Sequence, residues 1–245
     1  MIVRTSIRRE QVSSTSDLAR ELVNGDDPAH PLPLLVRADR QTRGRGRGTN
    51  AWWSGPGSLT FTLAIDPRAH GLRPAHEPRL ALAAAVAVVE AVGPGVPLGV
   101  RWPNDIEAGG RKVGGILPER VETPRGPRLL IGIGLNVRTL LADAPADVRA
   151  LAATLSDWGD PRTPDEILAD FLIRFAAVVP RLAADDPALA ARWAELDTLR
   201  DRPVRVDLGP RVVTGVGRGI DPDGALILAT AAGPLRLLGG RVLRD

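Results

Sequence analysis

The segment Arg101-Trp-Pro-Asn-Asp105 and the nearby Arg111-Lys-Val-Gly-Gly-Ile-Leu117 together decide the interpretation of this 245-residue chain. Lys112 is the only lysine among 32 Lys and Arg residues. An ammonium is a compact point charge, whereas a guanidinium is a wide planar fork. If Asp105 ends one strand and Lys112 begins the next, a short hairpin brings both to one rim, where the carboxylate stabilises the ammonium. The spacing predicts a site that needs a small cation; the alternative is an exposed ion pair at a surface turn, which contributes little.

Hydrophobic patterning predicts alternating strands and helices over the first 200 residues or so. A helix is expected after the capping residues Ser13-Ser-Thr-Ser-Asp17, and a long polar Gly-rich loop from Asp39 to Gly57. The other predicted helices are 78–92, 165–184 and 187–199, and the predicted strands are 33–38, 58–65, 98–102, 112–119 and 129–137.

Shorter strands follow, separated by turn residues such as Gly209-Pro and Asp221-Pro-Asp-Gly224. Short strands punctuated by turns are typical of a small β-barrel. The pattern therefore predicts a domain boundary near residue 200, with strands at 203–208, 212–220, 225–229 and 235–238.

The loop contains Arg43-Gly-Arg-Gly-Arg-Gly-Thr-Asn50, followed by Trp52-Trp53. Glycines let backbone N–H groups approach an anion, and arginines bind carboxylate or phosphate with two donors. A tryptophan just beyond could stack on a purine. The pattern favours a phosphate or nucleotide loop; the alternatives are a flexible basic loop and an Arg-Gly nucleic-acid segment.

A third segment, Gly132-Ile-Gly-Leu-Asn136, has glycine at alternate positions. A strand of this kind leaves one face bare, so that a ligand can lie against it, and Asn136 would offer an amide to a base or phosphate. Taken alone, close packing against a helix is the favoured interpretation.

Composition excludes several function classes. The chain has no cysteine, which rules out disulfides and thiolate sites, and its three histidines show no metal-ligand spacing. The net charge of +3 is small for a nucleic-acid binder. The longest apolar run, Leu80 to Val89, is about half a membrane span. With no signal-like N-terminus, a cytoplasmic protein is expected.

In this order and spacing, the three segments resemble the biotin protein ligases, the family of biotin–[acetyl-CoA-carboxylase] ligase and holocarboxylase synthetase. Ser14-Thr15 and Ala152-Ala-Thr-Leu155 resemble further family signatures. Ser16 departs from the usual Asn, and Arg241 replaces a common acidic residue, which we expect to concern only the small domain. Only 13 residues precede Ser14, too few for a three-helix DNA-binding unit. The resemblance is therefore to the form without an N-terminal DNA-binding domain.

The resemblance implies an α+β fold: a mixed β-sheet flanked by helices over 1–198, in the manner of class II synthetases, and a small SH3-like β-barrel over 199–245. It implies formation of biotinyl-5'-AMP from biotin and ATP, with Mg2+ carried by ATP and no protein metal site. The biotinyl group then passes to a lysine on the biotin carboxyl carrier domain of acetyl-CoA carboxylase or another biotin-dependent carboxylase. No DNA or membrane partner is expected, and the chain would be a monomer or homodimer.

The resemblance also assigns residues to roles. The catalytic residues would be Lys112, Arg45, Arg47 and Asp105. The biotin-binding residues would be Ser14, Thr15, Ser16, Gln41, Arg45, Gly46, Arg47, Lys112, Gly114 and Gly115. The ATP-binding residues would be Gly48, Asn50, Trp52, Asn104 and Asn136.

Two other functions are compatible with parts of the sequence. A lipoate or octanoate ligase or transferase shares the general fold but has a different pattern around its Gly-rich segment. A nucleic-acid-binding module would use the Arg-Gly loop, yet it leaves Trp102-Pro-Asn-Asp105 and Lys112 unexplained.

Overall fold

A computed structural model describes residues 2–25 and 30–244. Its centre is a seven-stranded mixed sheet in the order β1-β2-β5-β9-β8-β7-β6. The first two strands run parallel, and every other neighbouring pair is antiparallel. These strands are β1 (Thr5–Val12), β2 (Leu34–Gln41), β5 (Ser58–Ile65), β6 (Leu98–Arg101), β7 (Asp105–Ala108), β8 (Arg111–Thr123) and β9 (Gly126–Asn136).

The helices cover the two faces of this sheet unequally. They are α1 (Thr15–Asn24), α2 (Leu80–Val92), α3 (Ala146–Leu151), α4 (Pro164–Ala183) and α5 (Pro187–Glu195). Because α2 lies between the sheet and α4, all but one of its residues are buried. Phe171 of α4 packs on Phe61 of the sheet with ring centroids 5.3 Å apart. On the opposite face α1 is the one helix of the described residues that packs, through Ala19 and Val23. The rest of that face is left for a cavity.

A second sheet follows, with antiparallel strands in the order β13-β12-β11-β10-β14. Its strands are β10 (Pro203–Asp207), β11 (Val212–Ile220), β12 (Leu226–Thr230), β13 (Gly233–Leu237) and β14 (Arg241–Val242). It packs on the turn between β6 and β7 and on α5: the indole of Trp102 donates to the carbonyl of Gly224 at 3.0 Å, and that of Trp193 to the carbonyl of Asp221 at 3.2 Å.

The predicted fold class is confirmed: a mixed sheet with flanking helices, followed by a small antiparallel sheet. The strand pairs of the described residues place five strands in one row, a small antiparallel sheet that fits the predicted SH3-like domain. The division at 198 and 199 stays a prediction, because the buried core continues from one sheet to the other.

Several local predictions need correction. Strands β1, β7 and β14 were not predicted, because they are edge-lying, short or rich in charged residues. The segment from Asp39 to Gly57 is not one loop: β2 extends to Gln41, and β3 (Gly44–Arg45) pairs with β4 (Ala51–Trp52). The predicted helix 78–92 begins at Leu80, after a 3-10 turn at Pro74–Arg79. None of the described helices is long and apolar enough to cross a membrane.

Candidate active site

A cavity of about 750 Å³ lies on the sheet face that α1 leaves uncovered. Its floor is formed by glycines of β8 and β9, its near wall by the start of α1, and its roof by the β3–β4 hairpin. The rim on the far side comes from the second sheet, through Asp207, Arg241 and Arg244. The candidate site is thus built by both sheets.

The floor explains the alternating glycines. A Cβ atom at Gly134 would lie 2.3 Å from the Trp52 ring, and one at Gly132 would lie 2.8 Å from Ser16 Oγ. Both distances are shorter than any ordinary contact, so side chains are excluded at both positions. The glycine strand β9 therefore has the bare face that the sequence predicted. The indole of Trp52 packs over Gly134, and the first turn of α1 packs over Gly132. The indole N–H of Trp52 is buried with no hydrogen-bond partner among the described residues.

Lys112 and Asp105 meet as the sequence predicted, although Asp105 begins strand β7 and does not end a strand as expected. The β7–β8 hairpin brings Lys112 Nζ to 2.6 Å from Asp105 Oδ1. The same ammonium lies 5.9 Å from the centroid of the Trp52 ring, within reach of a cation–π interaction. The other oxygen of Asp105 faces Arg244 Nη2 at 3.4 Å. Asp105 is therefore held between two cations, one from each sheet.

Two arginines of the hairpin point in different directions. Arg47 donates from Nη1 to the carbonyl of Gly240 at 3.0 Å, which ties the hairpin to the second sheet. Burial lowers the pKa of the Arg47 guanidinium, and the charge of Asp105 acts in the opposite direction. Arg45 instead turns toward α1 and β8, where it pairs with Asp17 and Glu119.

The turn of the hairpin is set by backbone contacts. The N–H of Gly46 donates to the carbonyl of Asn50 at 2.8 Å. Gly48 has a φ of +60°, in the left-handed region that favours glycine. Gly46, predicted to bind biotin, lines the cavity together with Gly48, Asn50 and Trp52, which were predicted to bind ATP.

Polar side chains close the deep end of the cavity beside α1. Thr15 donates to Gln41 Oε1 from its backbone N–H at 2.7 Å and from its hydroxyl at 3.1 Å. Ser16 Oγ lies 3.0 Å from the hydroxyl of Thr62, which also bonds to Thr15. Ser14 caps α1 by accepting from the N–H of Asp17 at 3.4 Å. These buried hydroxyls would suit a polar, uncharged group of a ligand.

Two predicted site residues lie outside the cavity lining. Gly114 faces the opposite side of β8, where a Cβ would lie 2.3 Å from Leu135 in the core; because side chains alternate along a strand, only Gly115 reaches the cavity. The buried amide of Asn136 donates to the carbonyl of Ala153 at 3.1 Å and so fixes the segment after α3. Neither residue lines the cavity, and the biotin role of Gly114 and the ATP role of Asn136 stay predictions. Asn104 does line the cavity, with its amide donating to Ile116 at 2.8 Å.

The sequence did not indicate the contribution of the second sheet. Arg241 pairs with Asp207 at 2.9 Å, and both line the cavity, so the expectation that this departure concerns only the small domain was wrong. A site role for Thr62 or Glu119 was also not predicted from the sequence. For Thr62 a signal was present, because Thr60 and Thr62 are polar residues at alternate positions of the core strand 58–65. Six cations and two carboxylates line the cavity: Arg45, Arg47, Arg101, Lys112, Arg241 and Arg244 against Asp105 and Asp207.

Models of two protein families match parts of this chain. A model described as the biotin/lipoate A/B protein ligase family matches residues 9–136, just over half of the chain. The chain belongs to this family. A second model, the biotin protein ligase C terminal domain, matches residues 201–244. The first matched region contributes the floor, near wall and roof of the cavity, and the second contributes the rim on its far side.

Curated relatives within the family differ in length. The biotin–[acetyl-CoA-carboxylase] ligase of Mycobacterium tuberculosis is 31% identical over 223 residues, which cover 88% of this chain and 79% of that protein. The bifunctional ligase/repressor BirA of Bacillus spizizenii is 38% identical over 154 residues, covering 61% of this chain and 46% of that protein. The chain thus spans about half the length of the latter relative.

Solved structures share the fold. The biotin protein ligase from Aquifex aeolicus, solved in complex with biotin and ATP, superimposes with a TM-score of 0.83 at 24% identity. The match covers 99% of this chain and 100% of that one. The arrangement of the two sheets is therefore that of a biotin protein ligase.

Proposed function

We propose that this chain joins biotin to ATP, forming biotinyl-5'-AMP and pyrophosphate, and then transfers the biotinyl group to a lysine of a carrier domain. The observation that carries the proposal is the excess of cations in a cavity whose deep end is polar and uncharged. A carboxylate and a triphosphate both need positive charge. The biotin–[acetyl-CoA-carboxylase] ligases among the relatives support the same reaction.

In the first step a biotin carboxylate oxygen bonds to the α-phosphorus of ATP, while the bond from that phosphorus to the pyrophosphate oxygen breaks. Two anions must approach each other, and negative charge spreads over the phosphoryl oxygens. Lys112 and Arg47 line the cavity in which the two anions meet, and their positive charges reduce the repulsion. Mg2+ enters with ATP and neutralises phosphate charge in the same way.

In the second step the lysine amine bonds to the acyl carbon, the bond from that carbon to the phosphate oxygen breaks, AMP leaves with the electron pair, and the proton of the amine passes to solvent. Lys112 is placed to hold the acyl oxygen. Because each oxygen of Asp105 faces a cation, at 2.6 Å and 3.4 Å, we assign Asp105 to orienting the amine. A hydrogen bond from the amine would add to these contacts without breaking them.

The substrates occupy different ends of the cavity in this proposal. The ring system of biotin carries polar N–H and C=O groups, which suit the hydroxyls of Thr15, Ser16 and Thr62 and the amide of Gln41. The adenine would lie near Asn50 and would stack on the indole of Trp52. Acetyl-CoA carboxylase is the proposed source of the carrier domain, and the cytoplasm the proposed compartment.

The transfer step can be measured directly. The chain is incubated with ATP, biotin and a biotin carboxyl carrier domain, and the intact mass of the carrier is followed. We expect the carrier to gain one biotinyl group, and a carrier with its acceptor lysine changed to arginine to gain none. Modification of the carrier with lipoate instead of biotin would favour the second candidate function.

A further inference from the structure

Arg45 is held by two carboxylates that the proposed chemistry does not use. Its Nε lies 3.0 Å from Asp17 Oδ1, on the first turn of α1. Its Nη2 donates to Glu119 Oε2, on β8. The other oxygen of Glu119 accepts from Arg20 Nη2 at 2.8 Å, so the chain of contacts continues back to α1. The four residues form a closed tie between the helix, the sheet and the hairpin.

Glu119 is the least exposed member of this tie. Its side chain is 19% exposed, against 35% for Arg45 and 46% for Asp17. It lies two residues beyond Leu117 on β8, and therefore on the same face of the sheet as that cavity-lining residue. Yet Glu119 lies outside the cavity lining itself. Its contact with the cavity lining is the bond to the Arg45 guanidinium.

The two ion pairs restrain one side of the guanidinium. Its Nη2 donates a hydrogen bond to Glu119, whereas its Nε forms an ion pair with Asp17 but has no hydrogen-bond partner among the described residues; neither contact involves Nη1. Since Arg45 lines the cavity, the donors that remain are directed by the tie. A long flexible side chain is thereby prepared for an anion before the anion arrives.

We propose that Glu119 is a positioning residue, which fixes the guanidinium of Arg45 for the carboxylate or phosphate of the substrates. The proposal rests on the proposed function for the identity of those substrates. The change Glu119→Gln tests it with little change of shape. A Gln oxygen can accept from Arg20 or Arg45, but its NH2 group then faces the donors of the other guanidinium. The tie is broken although the side chain keeps its size.

The first readout is biotin-dependent ATP–pyrophosphate exchange in a double-mutant cycle. We expect Glu119→Gln to lower kcat/KM roughly tenfold in the native background, a change of about 1.4 kcal/mol. In the Arg45→Ala background it should lower kcat/KM no further, because the group it acts through is gone. Glu122→Gln, an exposed carboxylate on the same strand, should leave exchange unchanged. An equal loss in both backgrounds, or no loss in the native one, would overturn the proposal.

The second readout needs no substrate. In the ligand-free protein, Glu119→Gln should speed amide hydrogen exchange over residues 44–52, and Glu122→Gln should not. If the native chain fails to support exchange with biotin while the hairpin still loosens in Glu119→Gln, the proposed function fails and the positioning role survives. If the native chain is active and the hairpin amides are unchanged in Glu119→Gln, the positioning role fails alone.

Discussion

At the scale of single residues, Lys112 shows why charge alone does not define the site. Its ammonium lies 2.6 Å from Asp105 and 5.9 Å from the centre of the Trp52 ring. Arg244 already occupies the other side of Asp105. A guanidinium in place of the ammonium would be a wider, planar group that has to fit against both the carboxylate and the indole.

We therefore expect Lys112→Arg to fold normally and to lose adenylate formation by roughly 100-fold or more, the scale of removing one transition-state donor. Lys112→Ala should be at least as severe. Pyrophosphate exchange measures the loss, and thermal unfolding checks the fold. Near-native exchange in Lys112→Arg would show that only the charge matters at this position.

A second residue-scale prediction concerns the buried carboxyl of Asp197. One oxygen accepts from the N–H of Leu199 at 3.0 Å, while the other is buried with no partner among the described residues. Burial raises the pKa of this carboxyl above its ordinary value of 3.8, and the hydrogen bond from Leu199 acts in the opposite direction. The folded state thus binds the proton more tightly than the unfolded state does.

The stability contributed by this group is full below pH 3.8 and falls as the pH rises through the folded-state pKa. Asp197→Asn should therefore gain stability relative to the native chain as the pH is raised, by about 1.4 kcal/mol per unit of pKa separation. Urea unfolding across the acid range measures the difference. Asp143→Asn, at an exposed position, controls for the loss of one charge; the same pH trend in both variants would contradict the assignment.

At the scale of elements, the floor strand β9 and the β3–β4 hairpin form one unit. The Trp52 ring fills the space above Gly134. Gly134→Ala should displace the indole, change the tryptophan fluorescence and weaken ATP binding roughly tenfold, within the 1–3 kcal/mol range of base–aromatic stacking. Gly95→Ala, where a Cβ meets no atom within 4 Å, should change neither property. Unchanged fluorescence and ATP affinity in Gly134→Ala would remove Trp52 from the nucleotide site.

The same elements show what a sequence can and cannot predict. The Lys112 hairpin and the glycine strand were predictable, because spacing and alternation are local properties. The roles of Glu119 and Arg244 were not, since their partners Arg45 and Asp105 lie 74 and 139 residues away. Strand β1 was not predicted, because it is an exposed edge strand that contains arginines and shows no hydrophobic alternation.

At the scale of the whole molecule, the second sheet completes the site. Arg244 reaches Asp105 and Glu107, each at 3.4 Å, and the side chain of Glu107 is only 5% exposed. Removing a partner from a buried carboxylate is costly. Arg244→Ala should lower pyrophosphate exchange roughly tenfold and should also reduce the free energy of unfolding. The control is Arg218→Ala, which removes an exposed ion pair with Asp201 in the same sheet. If the two variants had the same exchange rate and the same free energy of unfolding, the second sheet would have no part in the reaction.

The central claim is that the cation-rich cavity activates the carboxylate of biotin with ATP. The most direct measurement is ATP–pyrophosphate exchange with biotin, lipoate and octanoate compared at equal concentrations. We predict rapid exchange with biotin and little with the other two acids, because the hydroxyls of Thr15, Ser16 and Thr62 require a polar ring at the deep end of the cavity. Exchange that is faster with lipoate or octanoate, or absent with all three, would contradict the account.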